Sequence, residues 1–353
     1  MKLKLAHECK LPTGALGLAF TPDGSRAFVS CADGAVYDVD VASGKAGAFP
    51  SRHESYASGC VLLPDGRTVI SAGYDGWLLW HDVDSRRCWR RQQAHDFWSW
   101  QLALSPDGSR VASVSGQYLA GGWKYEPAPE SEPSVKVFDA LSGDLIFALG
   151  HTPPVLSCAF SPDGHHLAAA NMLGEVRVWN LHSGGKLVAQ WTSPDFTSWG
   201  SVKSHHFCGG IYGVAFSPDA ASLLCCGMGP MNDPMAGNGK MMWQRWACEK
   251  GAKLGQIKDG DQGAGLMESV EWHPDGKHFV MAGRQVQGNW NAAIFSAVDG
   301  SLVHSVDTKK RITHARFTAD GATLIVSSAE GQSARKNGEW PKWGSLQAYR
   351  VEG

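Results

Sequence analysis

The stretch that decides the fold is residues 155–191, VLSCAFSPDGHHLAAANMLGEVRVWNLHSGGKLVAQW. Four short apolar-rich runs are separated by turn residues, at Pro162-Asp163-Gly164, at Gly174 and at Ser183-Gly184-Gly185. No run is long enough for a globular helix, and Asp-Gly suits a tight hairpin because glycine accepts a positive φ. The stretch therefore predicts one small sheet of four antiparallel strands.

The Pro-Asp-Gly mark recurs along the whole chain. Five intact copies and two altered copies are present: Pro22–Gly24, Pro64–Gly66, Pro106–Gly108, Pro162–Gly164, Pro274–Gly276, Pro218-Asp219-Ala220 and Ala319-Asp320-Gly321. Seven copies of one unit predict seven sheets that bury each other's faces around an axis, in an all-β domain spanning residues 1–353. The last copy ends at its third strand, Ser345–Val351, so we expect Lys2–Cys9 to complete that sheet and close the ring.

Composition argues against several classes of function. The chain is 43% apolar and 19% charged, with a net charge of −2. Nucleic-acid binding usually needs a basic excess, so we expect no nucleic-acid partner. No continuous apolar segment suits a membrane span or a signal peptide, so we expect a cytoplasmic protein. Nine cysteines without a Cys-x-x-Cys pair read as reduced core residues, and we expect neither a metal nor a cofactor.

Several residues at fixed places in the repeat resemble those of WD-repeat β-propellers. Gly150-His151 precedes Pro162 by eleven residues, and Trp179-Asn180 closes the third strand of that copy. The resemblance implies a seven-bladed propeller of four-stranded blades that acts mainly as a platform for other molecules. It also implies that the histidine at this place bonds within its blade to a serine and an aspartate. The residues to which the resemblance gives a structural role are His53, Ser71, Asp75, His95, His151 and Trp179.

The spacing between the marks shows where residues have been added. The first two intervals, from Pro22 to Pro64 and on to Pro106, are 42 residues, whereas the next three are 56. The expansions are Ser115–Pro133, Thr192–Gly210, Gly227–Gly239, Gly283–Asn289 and Ala329–Trp343. Each lies between a second and third strand or between two sheets. All five are therefore expected on the face opposite the Pro-Asp-Gly turns, which we call the top face.

The composition of these expansions predicts a binding surface. They are rich in aromatic residues and methionine, which prefer to be covered by each other or by a partner. Our leading hypothesis is a non-catalytic scaffold that binds a protein or peptide on the top face. The expected contact residues are Trp98, Trp123, Tyr125, Trp199, Met231, Trp290, Trp340 and Trp343, with Arg284, Lys336 and Lys342 setting orientation.

Two other classes of function stay open at this stage. The top-face loops could instead roof an aromatic-lined ligand or catalytic pocket at the channel mouth, with Gln287 and Asn289 among its polar groups. The chain could also be a subunit of a larger stable complex. No nucleophile elbow, phosphate loop or zinc-protease motif is complete, and we expect no catalytic residues. His205 and His206, with Cys208 nearby, are too few for a structural zinc site.

Overall fold

The computed structural model describes residues 1–119, 126–127, 129–196, 209–230, 239–329 and 344–353. Apart from one 3₁₀ turn at Pro194–Phe196, the regular structure of these residues is β-sheet. Among them, no helix has the length and apolar character needed to cross a bilayer.

The strands follow one another along the chain with short connections. In the first half they are β1 (Lys2–Leu11), β2 (Ala15–Phe20), β3 (Arg26–Cys31), β4 (Val36–Asp40), β5 (Ala46–Ala48), β6 (Ala57–Leu62), β7 (Thr68–Gly73), β8 (Trp77–Asp82), β9 (Cys88–Gln93), β10 (Ser99–Leu104), β11 (Arg110–Ser115), β12 (Tyr118–Leu119), β13 (Glu126–Pro127), β14 (Val135–Asp139) and β15 (Leu145–Leu149). In the second half they are β16 (Val155–Phe160), β17 (His166–Asn171), β18 (Glu175–Asn180), β19 (Lys186–Thr192), β20 (Gly210–Phe216), β21 (Ser222–Met228), β22 (Gly239–Ala247), β23 (Ala252–Gln256), β24 (Ala264–Trp272), β25 (His278–Gln287), β26 (Ala292–Ser296), β27 (Leu302–Val306), β28 (Arg311–Phe317), β29 (Thr323–Ala329) and β30 (Gly344–Glu352).

These strands form seven antiparallel four-stranded blades within the described residues. Blade 1 is β2–β5, blade 2 is β6–β9, blade 3 is β10, β11, β14 and β15, blade 4 is β16–β19, blade 5 is β20–β23, blade 6 is β24–β27, and blade 7 is β28, β29, β30 and β1. The first strand of each blade contacts the first strand of the next, and β28 contacts β2. The inner strands thus form a closed ring, and the predicted propeller fold is confirmed.

The N-terminal strand closes the ring as predicted. Strand β1 pairs with β30 from Lys2 opposite Glu352 to Leu11 opposite Gly344. Leu11 is 1% exposed and packs in a core cluster that joins blade 7 to blade 1 through Leu346 and Leu18. This pairing supplies the outer strand of blade 7 and leaves β30 without an open edge.

Apolar residues of adjacent blades interdigitate to make the core. Between blades 4 and 5, for example, Val176 and Val178 pack with Ile211 and Phe216. The outermost strands contribute less, since β9 alternates between half-buried and exposed residues. A propeller blade is therefore buried near the axis and open at the rim, and the rim strands retain surface for contacts.

One predicted loop is a strand. We expected Gly283–Asn289 to be an expanded connection, but β25 runs through Gln287 and pairs with β24 as far as Ala264. Strand β22 also meets this hairpin, with Gly239 opposite Gly265. The glycines indicated a loop, yet the added residues lengthen a hairpin that bridges blades 5 and 6. The prediction was wrong because the backbone groups of this segment find ladder partners on β24.

Candidate functional site

The mouth of the central channel on the top face is built by one repeated irregularity. Each inner strand carries a β-bulge at the same place, and the bulged residue leaves the ladder. A bulge re-aims a side chain, and all seven bulged residues line a small cavity of about 60 Å³ at the channel mouth. We call these residues the mouth ring: Leu16, Ser58, Trp100, Leu156, Tyr212, Glu268 and Thr313.

One side of the mouth ring is aromatic. Tyr74 follows the second strand of blade 2 and stacks on Trp98, with ring centroids 4.9 Å apart and planes 7° apart. It also stacks on Trp100 at 5.4 Å and contacts Tyr56 at 5.6 Å. All four side chains are half-buried. Burial raises the pKa of Tyr74, so its hydroxyl stays neutral at physiological pH. The cluster offers rigid, amphipathic contact area at the mouth.

The other side of the mouth ring is charged. The Arg311 guanidinium binds the Glu268 carboxylate through two parallel hydrogen bonds, from Nε and Nη2, each 2.7 Å long. The attraction of Glu268 raises the pKa of Arg311, against the opposing effect of burial. A bidentate pair of this kind holds both groups in one plane. The mouth therefore presents fixed charge beside an aromatic surface.

Three polar residues of the channel line two cavities. Gln101, Glu268 and His314 line both the small mouth cavity and a larger one of about 800 Å³, which the prolines of the Pro-Asp-Gly turns border. The Gln101 Oε1 accepts the backbone N–H of Cys158 at 2.8 Å. Burial, together with the nearby Arg316, lowers the pKa of His314 to about 3. The larger cavity thus opens toward the bottom face, opposite the place where a ligand pocket was expected.

Blade 2 contains a histidine network around Ser71. His53 contacts Asp75 through Nδ1 at 2.9 Å and Ser71 Oγ through Nε2 at 2.9 Å. His81 Nε2 approaches the same hydroxyl at 3.1 Å and is fully buried. His81 occupies the repeat position that Trp179 holds in blade 4, so a histidine here extends the network. Its contact with Ser71 was not predicted, although its place at the end of the third strand was visible in the sequence.

The equivalent histidines in blades 3 and 4 have different partners. His95 Nε2 lies 3.0 Å from Ser113 Oγ, and its Nδ1 lies 3.7 Å from Glu132. In blade 4 the ring nitrogens of His151 approach only backbone carbonyls, those of Thr152 and Ala169. Burial lowers the pKa of both histidines, so each ring is neutral and carries one N–H. Trp179 packs beside His151, with ring centroids 6.0 Å apart.

The predicted contact residues separate into three groups. Trp98 lies in the aromatic cluster, and Arg284 lies half-buried on β25. Trp290 is only 5% exposed, and its indole N–H donates to the Asp261 carbonyl at 3.0 Å. Its assignment to a partner surface was wrong because it fills the core beside Phe295. The others fall outside the described residues: Trp123, Tyr125, Trp199, Met231, Lys336, Trp340, Lys342 and Trp343.

The structure also bears on the alternative ligand pocket at the channel mouth and on metal-ligating groups. Gln287 and Asn289 are exposed and do not line either cavity. Within the described ranges, no group of three or more His, Cys, Asp or Glu side chains could hold a metal ion. His205, His206 and Cys208 lie outside those ranges.

Sequence reasoning missed the mouth ring, although a signal for it exists. Each member stands six residues before the first residue of its Pro-Asp-Gly mark, as Trp100 does before Pro106 and Glu268 before Pro274. Aligning the seven copies on this mark would have collected the ring in one column. The bulge that turns this column toward the axis could not be read from composition, because the surrounding residues follow an ordinary strand pattern.

A closed ring of blades with a built channel mouth defines a β-propeller. Residues 143–180 match the family model "WD domain, G-beta repeat". The whole chain is similar to a chain in the structure entitled "Crystal Structure of Mitotic Checkpoint Complex", with a TM-score of 0.71, 18% identity and coverage of 99% of this chain and 92% of that one. The resemblance to WD-repeat β-propellers is confirmed: one copy matches the family model, and the fold matches throughout.

A shorter similarity is found to a curated protein. Over 88 residues the chain is 32% identical to the SAGA complex/transcription factor TFIID complex subunit Taf5 of Schizosaccharomyces pombe. The aligned segment is 25% of this chain and 14% of that protein. The similarity therefore concerns a part of the propeller and leaves most of Taf5 without a counterpart here.

Proposed function

We propose that this chain is a non-catalytic interaction module that binds a segment of a partner protein on its top face, across the mouth ring. The similar proteins support a scaffold role, since Taf5 is named as a complex subunit and the propeller of similar fold comes from the Mitotic Checkpoint Complex. Fold alone does not assign a function, so the proposal depends on the chemistry of the mouth.

The observation that carries the proposal is the division of the mouth into two halves. Tyr74 and Trp100 offer aromatic faces that can cover an apolar side chain, and Arg311 with Glu268 offers fixed charge beside them. Aromatic and arginine side chains dominate the energetics of protein interfaces. The mouth cavity of about 60 Å³ accepts one side chain, whereas a drug-sized ligand needs several hundred Å³.

The experiment compares partners retained by matched variants. The wild-type protein, a Trp100→Ala/Tyr212→Ala variant and a Leu254→Ala rim variant are used as affinity baits, and captured proteins are quantified by mass spectrometry. We expect the mouth variant to lose its specific partners by about tenfold or more, because both substitutions remove central aromatic contacts. The rim variant controls for the loss of an exposed apolar side chain away from the mouth, since Leu254 lies on β23 and is 56% exposed.

A Trp340→Ala/Trp343→Ala variant tests the predicted loop contribution in parallel. Thermal unfolding of every bait establishes that each one is folded. If the folded mouth variant retains the same partners as the wild type, the mouth ring is not the binding site and the proposal fails. If only the loop variant loses partners, the top face is used but the contact lies on the loops.

A further inference from the structure

The outer strand of blade 2, with the turn that precedes it, carries more arginine than any other rim strand among the described residues. Residues 86–91 read RRCWRR, four arginines around an exposed tryptophan. Arg87 and Arg91 are exposed, and Trp89 is 48% exposed. Strand β9 is the last strand of its sheet and pairs with β8, so its outer backbone edge has no strand beside it among the described residues.

Most of this positive charge is not compensated. Arg86 binds Asp38 at 3.0 Å, but Arg87, Arg90 and Arg91 form no ion pair within the described part of the chain. Arg90 donates to the carbonyl of Ser142 in blade 3, which fixes its position. Residues 85–93 contain no acidic side chain. The strand therefore presents a local basic surface on a protein whose net charge is −2.

Two tryptophans of blade 2, Trp89 on β9 and Trp77 on the neighbouring β8, lie beside arginines of β9. The guanidinium carbon of Arg90 lies 5.5 Å from the Trp89 ring centroid, and that of Arg91 lies 5.6 Å from the Trp77 ring. Such contacts restrain both partners and keep the cations near an apolar surface. The edge thus combines ordered cations with aromatic area, the combination that recurs at interface hot spots.

An apolar area continues this edge onto blade 3. Leu141, next to the Ser142 that accepts from Arg90, is 63% exposed. Leu145 and Ile146 follow it on the rim and are 53% and 40% exposed. Exposed apolar side chains beside charged ones are compatible with an interaction surface here.

Charged residues on an edge strand can serve only to prevent edge-to-edge pairing. That role accounts for the arginines of β9 but not for the exposed Trp89. An exposed indole at the centre of the strand favours association. The other rim strands show the contrast. Strands β19 and β23 each carry a single lysine, and β1 carries three lysines, of which Lys4 lies 3.9 Å from Glu352, but no tryptophan.

We propose that β9 is a docking edge for an extended acidic segment of a partner protein, which adds to blade 2 as a further strand. Carboxylates of the segment pair with Arg87 and Arg91, and an apolar side chain covers Trp89. Arg87, Trp89 and Arg91 are the exposed residues of an alternating pattern, with a β-bulge at Trp89 opposite His81. Because they face one side, the matching segment carries two acidic residues four positions apart and an apolar residue midway between them on the same side. A second copy of β9 would bring like charges together, and a nucleic acid lacks the peptide groups that a ladder needs.

The test uses a fluorescein-labelled octapeptide, Ser-Asp-Thr-Leu-Thr-Asp-Thr-Ser, which presents Asp, Leu and Asp on one side of a strand, and fluorescence anisotropy. We expect saturable binding to the wild type that weakens by about tenfold or more in an Arg87→Glu/Arg91→Glu variant, since two charge-assisted contacts become repulsive. A Lys186→Glu/Lys253→Glu variant changes the net charge by the same amount, but on other rim strands. It should bind the peptide as the wild type does. The Trp100→Ala/Tyr212→Ala mouth variant should also bind normally, which separates this proposal from the proposed function.

Two further probes define the mode of binding. A peptide with alternate backbone nitrogens methylated keeps its charge but loses ladder hydrogen bonds, and we expect it not to bind. A single-stranded oligothymidylate should not displace the acidic peptide. The proposal is overturned if the acidic octapeptide does not bind, if the methylated peptide binds equally well, if the rim control loses as much affinity as the β9 variant, or if the oligothymidylate binds more tightly.

Discussion

Ala220 adopts a backbone conformation that its repeat position requires and its side chain resists. Its φ is 57°, while the matching residue Gly164 has a φ of 68°. An L-residue in this left-handed region carries a penalty of about 1 kcal/mol because Cβ crowds the backbone. The turn persists because Asp219 accepts from both the Ser217 hydroxyl and the Ala221 N–H. Local side-chain bonding thus keeps the altered copy in register with the intact ones.

Replacing Ala220 with glycine should stabilise the protein. We expect Ala220→Gly to raise the free energy of unfolding by about 1 kcal/mol, because glycine relieves the left-handed strain. Gly164→Ala is the reciprocal variant and should lower it by a similar amount, since its added Cβ meets only Pro106 at 3.8 Å. Urea denaturation measures both. A destabilised Ala220→Gly protein would show that Ala220 contributes packing that outweighs its strain.

Individual residues also show what could be predicted from the sequence. The repeated marks predicted the blades, and the pattern at Lys2–Cys9 predicted the closing strand, because turn chemistry and alternation are local. The burial of Trp290 depends on a hydrogen bond to Asp261, 29 residues away, and no local pattern encodes it. The pairing of Glu268 with Arg311 joins two blades. It likewise could not be predicted from the sequence, because it depends on how neighbouring blades pack.

At the level of secondary-structure elements, the inner strands and the outer (rim) strands of the blades have different roles. Inner strands such as β20 are mostly buried and fix the mouth ring through their bulges. Rim strands such as β9 and β19 carry more exposed residues, although Trp191 of β19 packs in the core between blades 4 and 5. Strand β1 also reaches the core, since its Leu11 packs between blades 7 and 1.

Two leucines of β1 provide a matched test of this role. Leu11→Ala should lower the free energy of unfolding by about 3 kcal/mol, because it leaves a cavity in a fully packed junction. Leu5→Ala lies on the same strand but is 47% exposed, so we expect a change of about 0.5 kcal/mol or less. Chemical denaturation with a fluorescence readout distinguishes them. Equal losses would mean that β1 contributes only backbone pairing to the closure.

At the level of the whole molecule, several buried histidines of the propeller are neutral. Burial lowers the pKa of His81, His95, His151 and His314, with the effect on His151 partly opposed by Glu175. In the unfolded chain a histidine titrates near pH 6.5. The unfolded state therefore binds more protons than the folded state once the pH falls below about 6.5, and acid favours unfolding.

Stability should consequently fall as the pH falls from about 6.5 toward 4, by up to about 1.4 kcal/mol per pH unit for each such histidine. His314→Gln should reduce this slope, because its side chain borders the channel and glutamine does not titrate. Lys186→Gln, on an exposed strand, is the matched control and should leave the slope unchanged. Urea midpoints at pH 8, 6 and 5 give the slopes. Identical slopes for His314→Gln and the wild type would contradict the assignment.

The pairing of Lys2 with Glu352 has a consequence for engineering the chain. Neighbouring antiparallel strands lie about 5 Å apart, so a short glycine-serine linker can join residue 353 to residue 1 without crossing the disc. A circular permutant could then begin at any exposed Pro-Asp-Gly turn. Moving the chain termini from blade 7 to another blade would test whether stability depends on a blade built from both ends of the chain or only on closure of the ring.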